Sequence, residues 1–479
     1  MIPYRKIEET EHIDTPLSPE MVNNLSLWYD VYRDKAPWLK PGEVKSMNLG
    51  AFIAGEIARQ VLLEVKWNIT GTGEGEDGAP DSNPRADFLK GEFEALMSNL
   101  RQKMEAGCAA GGMIVKPCPN PEDGRIYFDF SMDWAFYPVA FDGAGNLTDV
   151  IIPEILREGK IIYTRLERHT REGENVKITQ RAFKSELEDS LGKEISLSEV
   201  PRWAALQTEV TVAGADGMLF GWYRAATANN VDVCCPLGAS VYARALDVMK
   251  EADMQYSRLL WEFEGSELAI DVDPLALRPK PDGEGGWLPR LNKRLFRAVD
   301  VAENGGDMYK PYNPPIRDAS IINGLNQLLM RVEDLTGLSR GTLSDANIDA
   351  RTATELRIVK QRSYATIADN QKALESCLRD VVKAMDVYAT VYGLAPAGEY
   401  DLSFEWDDSI LTDASQQMQE RLLLLNSGVI SKAEFRQWYF GETEAQAAAA
   451  VQAVDGEKAA SLENNLPGLD VNDNDERGA

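Results

Sequence analysis

The sequence predicts an α+β fold in which helices dominate, and three features carry that expectation. Segments 17–35, 43–66 and 86–107 place apolar residues at helical spacing. The middle of the first half is instead a run of short, turn-separated, strand-like segments. The second half returns to long helical patterns, one of them about 40 residues without an interior proline.

Taken in order, segments 17–35 and 43–66 end near the Gly/Asp/Pro-rich break at 70–85. The next helical stretch carries Phe88, Phe93, Leu96, Leu100 and Met104 along one stripe. Met113–Cys118, Arg125–Phe130, Thr148–Leu156 and Lys160–His169 read as strands between Asn-Pro, Asp-Gly and Gly-Asn turns. Val176–Phe183 and Pro201–Ala204 continue the series. No helix separates these strands, so antiparallel hairpins are expected rather than βαβ repeats.

Residues 237–264 read as one amphipathic helix through Val241, Ala245, Met249, Tyr256, Leu260 and Phe263. The following stretch of about 50 residues holds Pro274, Pro279, Pro281, Pro289, Pro311, Pro314 and Pro315, so it is not a single helix. Ile321, Leu325, Leu328, Val332 and Leu335 then recur in steps of four and three, a stripe suited to packing on a neighbouring helix. A polar segment, LSRGTLSDANIDAR (338–351), leads into the long helical stretch 352–394. Thr352 and Glu355 have the spacing of a capping box, and a hinge is expected around Ala365–Asp369.

Composition narrows the chemistry. The chain has 479 residues, 50 basic against 77 acidic, for a net charge of −27. That length suggests two to four structural units. Such acidity disfavours tight wrapping of nucleic acid and docking on an anionic membrane. No run of about 18 apolar residues is present, and the start lacks an apolar signal core. The five cysteines (Cys108, Cys118, Cys234, Cys235 and Cys377) include no C-x-x-C pair and read as reduced, buried small hydrophobes. His12 and His169 are the only histidines; both lie among charged residues and read as solvated, which leaves almost no base for a Ser or Cys nucleophile.

Phosphate-binding motifs are missing as well. There is no Walker sequence, so any ATP-driven step belongs to another chain. GTGEGEDG (71–78) has the wrong spacing for a dinucleotide loop, and its carboxylates would repel a pyrophosphate. The terminal DVNDND lacks the turn glycine and the twelfth-position Glu of a calcium loop. Asp407 and Asp408 are adjacent on a strand-like segment and point to opposite faces, which disfavours a two-metal nuclease. No cofactor, metal or catalytic residue is expected.

The order of parts resembles that of tailed-bacteriophage portal proteins of the siphophage type. MNLGAFIAGEIARQVLLEVK (47–66) is similar to the family's early helix, and EAGCAAGGMIVKP (105–117) to its small-residue turn into a strand. TATEL (352–356) before the long helix, FEWDDSIL (404–411) and SGVISKAEFRQWYFG (427–441) follow the family's C-terminal pattern. The likeness runs over roughly residues 20–450, and it rests on the joint order of the segments.

This resemblance implies a wing/stem/clip/crown subunit of a closed, typically dodecameric ring at one capsid vertex. Residues 1–236 correspond to the wing, 237–265 and 316–337 to two stem helices, and 266–315 to the clip. Residues 338–351 correspond to the channel (tunnel) loop, 352–413 to the long wing helix and returning strand, and 414–462 to the crown. The acidic remainder, 463–479, is expected to be disordered. Double-stranded DNA would pass through the ring without sequence-specific contacts, packaged by a separate large terminase and later ejected. Further implied partners are a head–tail adaptor and the major capsid and scaffold proteins, with no membrane, and the location is the virion after assembly in the host cytoplasm. The alternatives are another structural head or connector protein, or a metal-dependent nuclease.

Candidate residues follow from that placement. In the loop, Arg340, Asp345, Asn347, Asp349 and Arg351 mix both charge signs, as inter-subunit pairs across a closing ring would. The clip holds 8 acidic and 7 basic side chains, and among the basic ones Arg290, Lys293, Arg294 and Arg297 cluster and suit contact with a motor or adaptor. Ile321, Leu325, Leu328, Val332 and Leu335 would pack the stem. Residues 399–479 hold 17 acidic and 5 basic side chains, so the repulsive charge is concentrated toward the C-terminus.

Overall fold

A computed structural model describes residues 3–63, 65–72, 83–120, 122–266, 269–272, 296–298, 309–312, 315–345, 353–406, 414–443 and 446–454. It divides into two units, Met1–Asp407 and Asp408–Ala479, each considered by itself.

The first unit opens with α1 (Tyr4–Glu11), α2 (Pro19–Tyr32) and α3 (Leu49–Val61). Ser18 caps α2 by accepting from the Met21 N–H, and Pro19 occupies the first helical position, where its missing N–H has no intrahelical partner to lose. The helix expected over 43–66 is shorter at both ends. It begins after Asn48, whose φ is +53°, and stops at Val61 because β1 (Val65–Gly71) then enters a strand pairing. α4 (Pro84–Ala110) is capped by Asn83 and buries Leu89, Phe93, Leu96, Leu100 and Met104 to 1 % exposure or less. Leu89 takes the core position expected for Phe88, which is half-buried against the same cluster. Each such side chain contributes about 1.5–3 kcal/mol by leaving water.

The hairpins are antiparallel, as the spacing predicts. They comprise β2 (Gly112–Asn120), β3 (Arg125–Met132), β4 (Tyr137–Phe141), β5 (Leu147–Glu158), β6 (Ile161–Glu172), β7 (Asn175–Ser185), β8 (Lys193–Ile195), β9 (Glu209–Val212) and β10 (Gly221–Arg224). One sheet runs β4-β5-β6-β7-β8 with β9 on β7; another runs β10-β2-β3. Pro201–Ala204 is not a strand. Pro201–Trp203 forms a 3-10 turn, because Trp203 is drawn into a small cluster with Ala182, Leu197 and Val200 and donates its indole N–H to Glu154.

His169 is not solvated. Alternation along β6 turns it, with Arg165 and Glu167, onto one buried face, so the charged residues beside it in sequence say nothing about its surroundings. Its Nε2 lies 2.7 Å from Glu167 Oε1, and the Lys116 Nζ and Arg165 guanidinium each approach Glu167 Oε2 to 2.8 Å. Burial by itself would raise the Glu167 carboxyl; Lys116, His169 and Arg165 outweigh it and hold the group well below the usual carboxylate range. The cysteines also divide: Cys108, Cys235 and Cys377 are buried, Cys118 is half-buried, and Cys234 is exposed.

The helix expected over 237–264 begins only with a 3-10 turn at Ala243–Ala245, continuing as α5 (Leu246–Gly265). Residues 237–242 are spent on the first half of the chain instead. Val241 N–H donates to the Cys108 carbonyl, Tyr242 O–H donates to the Trp28 carbonyl, and a Cβ on Gly238 would lie 2.0 Å from the Gly111 oxygen. Helical hydrogen bonding cannot start until those contacts are made.

The proline-rich insertion contains β11 (Ala269–Val272), β12 (Phe296–Ala298) and β13 (Tyr309–Tyr312), in the order β12-β11-β13. α6 (Asp318–Thr336) follows, then α7 (Ala353–Val391), whose 39 residues span about 58 Å. α7 is helical throughout Ala365–Asp369, where a hinge was expected. β14 (Tyr400–Trp406) returns to pair antiparallel with β1. In the second unit, α8 (Ala414–Asn426) and α9 (Lys432–Phe440) are described, the latter started by a Ser431/Glu434 capping box, and residues 446–454 are helical.

Two stability measurements test this packing. Gly238→Ala forces a methyl into the Gly111 backbone and should cost about 1–3 kcal/mol, read by chemical denaturation; an unchanged midpoint would show that the contact is slack. Asp133 is fully buried against Gly112, and desolvation holds its carboxyl well above the usual range, with one oxygen unpartnered. A raised acid favours the folded state at low pH, and that contribution fades as pH rises from about 4 through the folded value. The stability of Asp133→Asn relative to the natural protein should therefore grow with pH above about 4, and a difference that is flat in pH would refute the assignment.

Candidate functional site

The helix pair α5–α6 and the segment that follows it form the most specifically built surface of the second half. α5 is anchored at its root by Asp253, whose carboxylate accepts from Trp38 Nε1 at 2.9 Å and from the Met47 N–H at 2.8 Å. Burial raises the Asp253 carboxyl against the lowering effect of those two donors. Farther along, Arg317 closes on Glu262 with Nη2–Oε2 at 2.8 Å and Nε–Oε1 at 3.1 Å, tying the start of α6 to the end of α5. Gln255 Nε2 reaches the Ile321 carbonyl, and Gly324 leaves room for that amide.

The contact face is rotated slightly from the one expected. Leu325 and Val332 are buried as the stripe requires, whereas Ile321, Leu328 and Leu335 are half-buried. Leu329 and Thr336 complete the buried row, and Glu333 lies within it at 0 % exposure. At the opposite end of the pair, Trp261 (66 % exposed), Phe263, Ile316 and Ile322 remain open to solvent.

Gly337, with φ +75°, ends α6 where a Cβ would meet Thr366 of α7 at 2.3 Å. The chain then folds back on α6. Glu333 Oε1 accepts from the N–H groups of Gly341 (3.1 Å), Leu343 (2.6 Å) and Ser344 (2.9 Å), and its Oε2 accepts from the Ser344 hydroxyl at 2.7 Å. Arg340 pairs with Asp334 of the same chain at 2.8 Å. Asn326 and Asp345 exchange two bonds, Asp345 N–H to Asn326 Oδ1 and Asn326 Nδ2 to the Asp345 carbonyl.

Of the loop residues singled out from sequence, Arg340 and Asp345 are thus placed beside α6, while Asn347, Asp349 and Arg351 lie outside the described residues. Arg290, Lys293 and Arg294 are also outside them; Arg297 is on β12, in register with Asp271 of β11. Asp407 and Asp408, most of the GTGEGEDG segment and residues 455–479 are likewise outside. Glu333 was not foreseen. Its only sequence signal is a carboxylate on the apolar side of a helix, followed within a dozen residues by a Gly/Ser/Thr-rich segment able to offer backbone donors.

Among the described residues, no cluster of three His, Cys, Asp or Glu side chains is arranged to hold a metal ion. No described helix is long and apolar enough to cross a membrane.

Comparison with known proteins gives one sequence match and several loose structural ones. The family model for phage portal proteins, SPP1 Gp6-like, matches residues 293–461. No curated protein matches the chain. Among solved structures, a chain from the neck of a native GTA particle, computed with C12 symmetry, is 10 % identical, with 90 % of this chain and 96 % of that chain covered at a TM-score of 0.36. A chain from the virion of a native gene transfer agent particle is also 10 % identical, with 92 % and 99 % covered at 0.38. The matched segment takes in α6, the Glu333-bound turn, α7 and the C-terminal helices, and over it the chain is similar to phage portal proteins.

Proposed function

We propose that copies of this chain close into a ring, twelve in number, whose lumen conducts double-stranded DNA during packaging and ejection. In this reading α5 and α6 are the stem, residues 266–315 the clip facing a terminase or adaptor, 338–351 the channel loop and 414–462 the crown. The ring sits in the virion after assembly in the host cytoplasm, beside the major capsid and scaffold proteins.

The observation that carries the proposal is the apolar surface left at one end of the helix pair. Trp261, Phe263, Ile316 and Ile322 are exposed although the Glu262–Arg317 bonds already join the two helices there. Exposed large apolar side chains concentrated in one place mark a contact surface, and a neighbouring copy of the same helix pair would cover them. The net charge of −27 supports the conduit role, because an acidic ring repels phosphate and gives DNA nothing to stick to. The portal family is structural, and the chain's part in packaging is passive, with nucleotide hydrolysis on the motor.

Negative-stain microscopy and mass photometry of the purified chain test this directly. Closed rings of about twelve subunits are expected, and Trp261→Asp should shift the population toward monomers by placing a carboxylate in an apolar contact. A stable monomer in the natural chain would overturn the ring. Purified rings should show no ATP hydrolysis; turnover that persists through further purification would overturn the passive role.

A further inference from the structure

We propose that Glu333 is the positioning residue of the α6–α7 connection, holding its first half against α6 so that the loop leaves the helix from a fixed base. The inference rests on the channel placement of residues 338–351, but its structural part stands without it. A carboxylate at 0 % exposure on a helix packing face is costly unless its lone pairs are met, and a leucine there would fill the space without that cost. Among the described residues, what meets them is the loop: three backbone N–H groups and one hydroxyl, all from Gly341–Ser344. Successive amides converging on one anion form a nest, here closed by a side chain rather than by a ligand.

The surrounding contacts fix the same segment from two further sides. Arg340 is held by Asp334, and the Asn326–Asp345 exchange pins the far edge of the turn about two helical turns from Glu333. Gly337 against Thr366 fixes the start of the turn on α7. Residues 338–345 are therefore a rigid collar on α6 rather than a freely moving arm, and a shift of this part of the loop requires the Glu333 bonds to break. Arg340 is already committed within its own chain, so it is a poor choice for a partner across subunits.

Glu333→Gln in the full chain tests the proposal. Glutamine keeps the shape and leaves a carbonyl oxygen for the three N–H groups, but it removes the charge that strengthens those bonds and reverses the bond with the Ser344 hydroxyl, so the amides of Gly341, Leu343 and Ser344 should exchange with solvent about tenfold faster or more. The amides of Leu329 and Val332 should keep their protection, rings should still assemble, and the yield of DNA-filled heads should fall. Unchanged exchange at the three loop amides overturns the latch. Faster exchange with a normal yield of filled heads overturns the positioning role. If Glu333→Gln does not fold, Ser344→Ala removes the hydroxyl's bond to Glu333 and the Gly341 N–H bond to that hydroxyl, and should speed exchange at the same amides; no change there also overturns the latch. Deletion of residues 346–350 spares every Glu333 bond and separates the two ideas: normal packaging by that variant overturns the channel placement and not the latch.

Discussion

The contact on which the first unit depends is backbone against backbone, where Gly238 lies on Gly111. A Cβ at Gly238 would stand 2.0 Å from the Gly111 oxygen, and one at Gly111 would stand 2.7 Å from the Gly238 oxygen, so neither position admits a side chain. The end of α4, the start of β2 and the root of α5 meet at this point. The same device recurs at Gly221, whose Cβ would fall 2.1 Å from the Cys377 carbonyl, letting α7 lie directly across β10. Close approach of this kind removes slack from the frame that carries the helix pair.

Buried charge is the second organising feature, and the chain handles it in three ways. Glu167 is surrounded by Lys116, Arg165 and His169, and its ionised form is favoured despite burial. Glu333 is met by N–H and O–H donors instead, the nearby Arg340 being paired with Asp334. Arg85, 1 % exposed, spends its guanidinium on the Pro396 and Asp386 carbonyls and the Thr390 hydroxyl, joining the start of α4 to the end of α7. In each case at least one partner comes from another segment, Lys116 of β2, the turn at Gly341–Ser344 or the end of α7, so the charge acts as a register mark for tertiary assembly. Asp133 is the exception, with burial driving the carboxyl toward its neutral form.

These features bear on the proposed function because the helices it assigns to the stem and wing are long and thin. α5, α6 and α7 would each be marginal alone, since helices in water depend on packing for most of their stability. Asp253 and the 237–242 contacts root α5, the Glu262–Arg317 pair joins it to α6, and Gly337 with Glu333 sets how α6 hands over to the segment before α7. The aromatic and aliphatic residues left exposed beyond Glu262 are the complement of this internal stitching.

The sequence by itself determined the element types and most of their order. Period-3.6 stripes at α2, α4, α6 and α7, alternating strands with Asp-Gly and Gly-Asn turns, and the prolines of the insertion each rest on local physics that one chain segment expresses alone. The resemblance to portal proteins was legible for the same reason, since it lay in the order of those segments. Tertiary structure decided the rest. It delayed α5 to Leu246, turned Pro201–Trp203 into a 3-10 turn around a buried indole, and hid His169 on a strand face that its neighbours in sequence do not share. It also rotated the α6 contact row and made Glu333 the centre of the turn, because a carboxylate's value depends on which donors the folded chain brings to it, and no spacing along α6 specifies donors that arrive from residues 341–344.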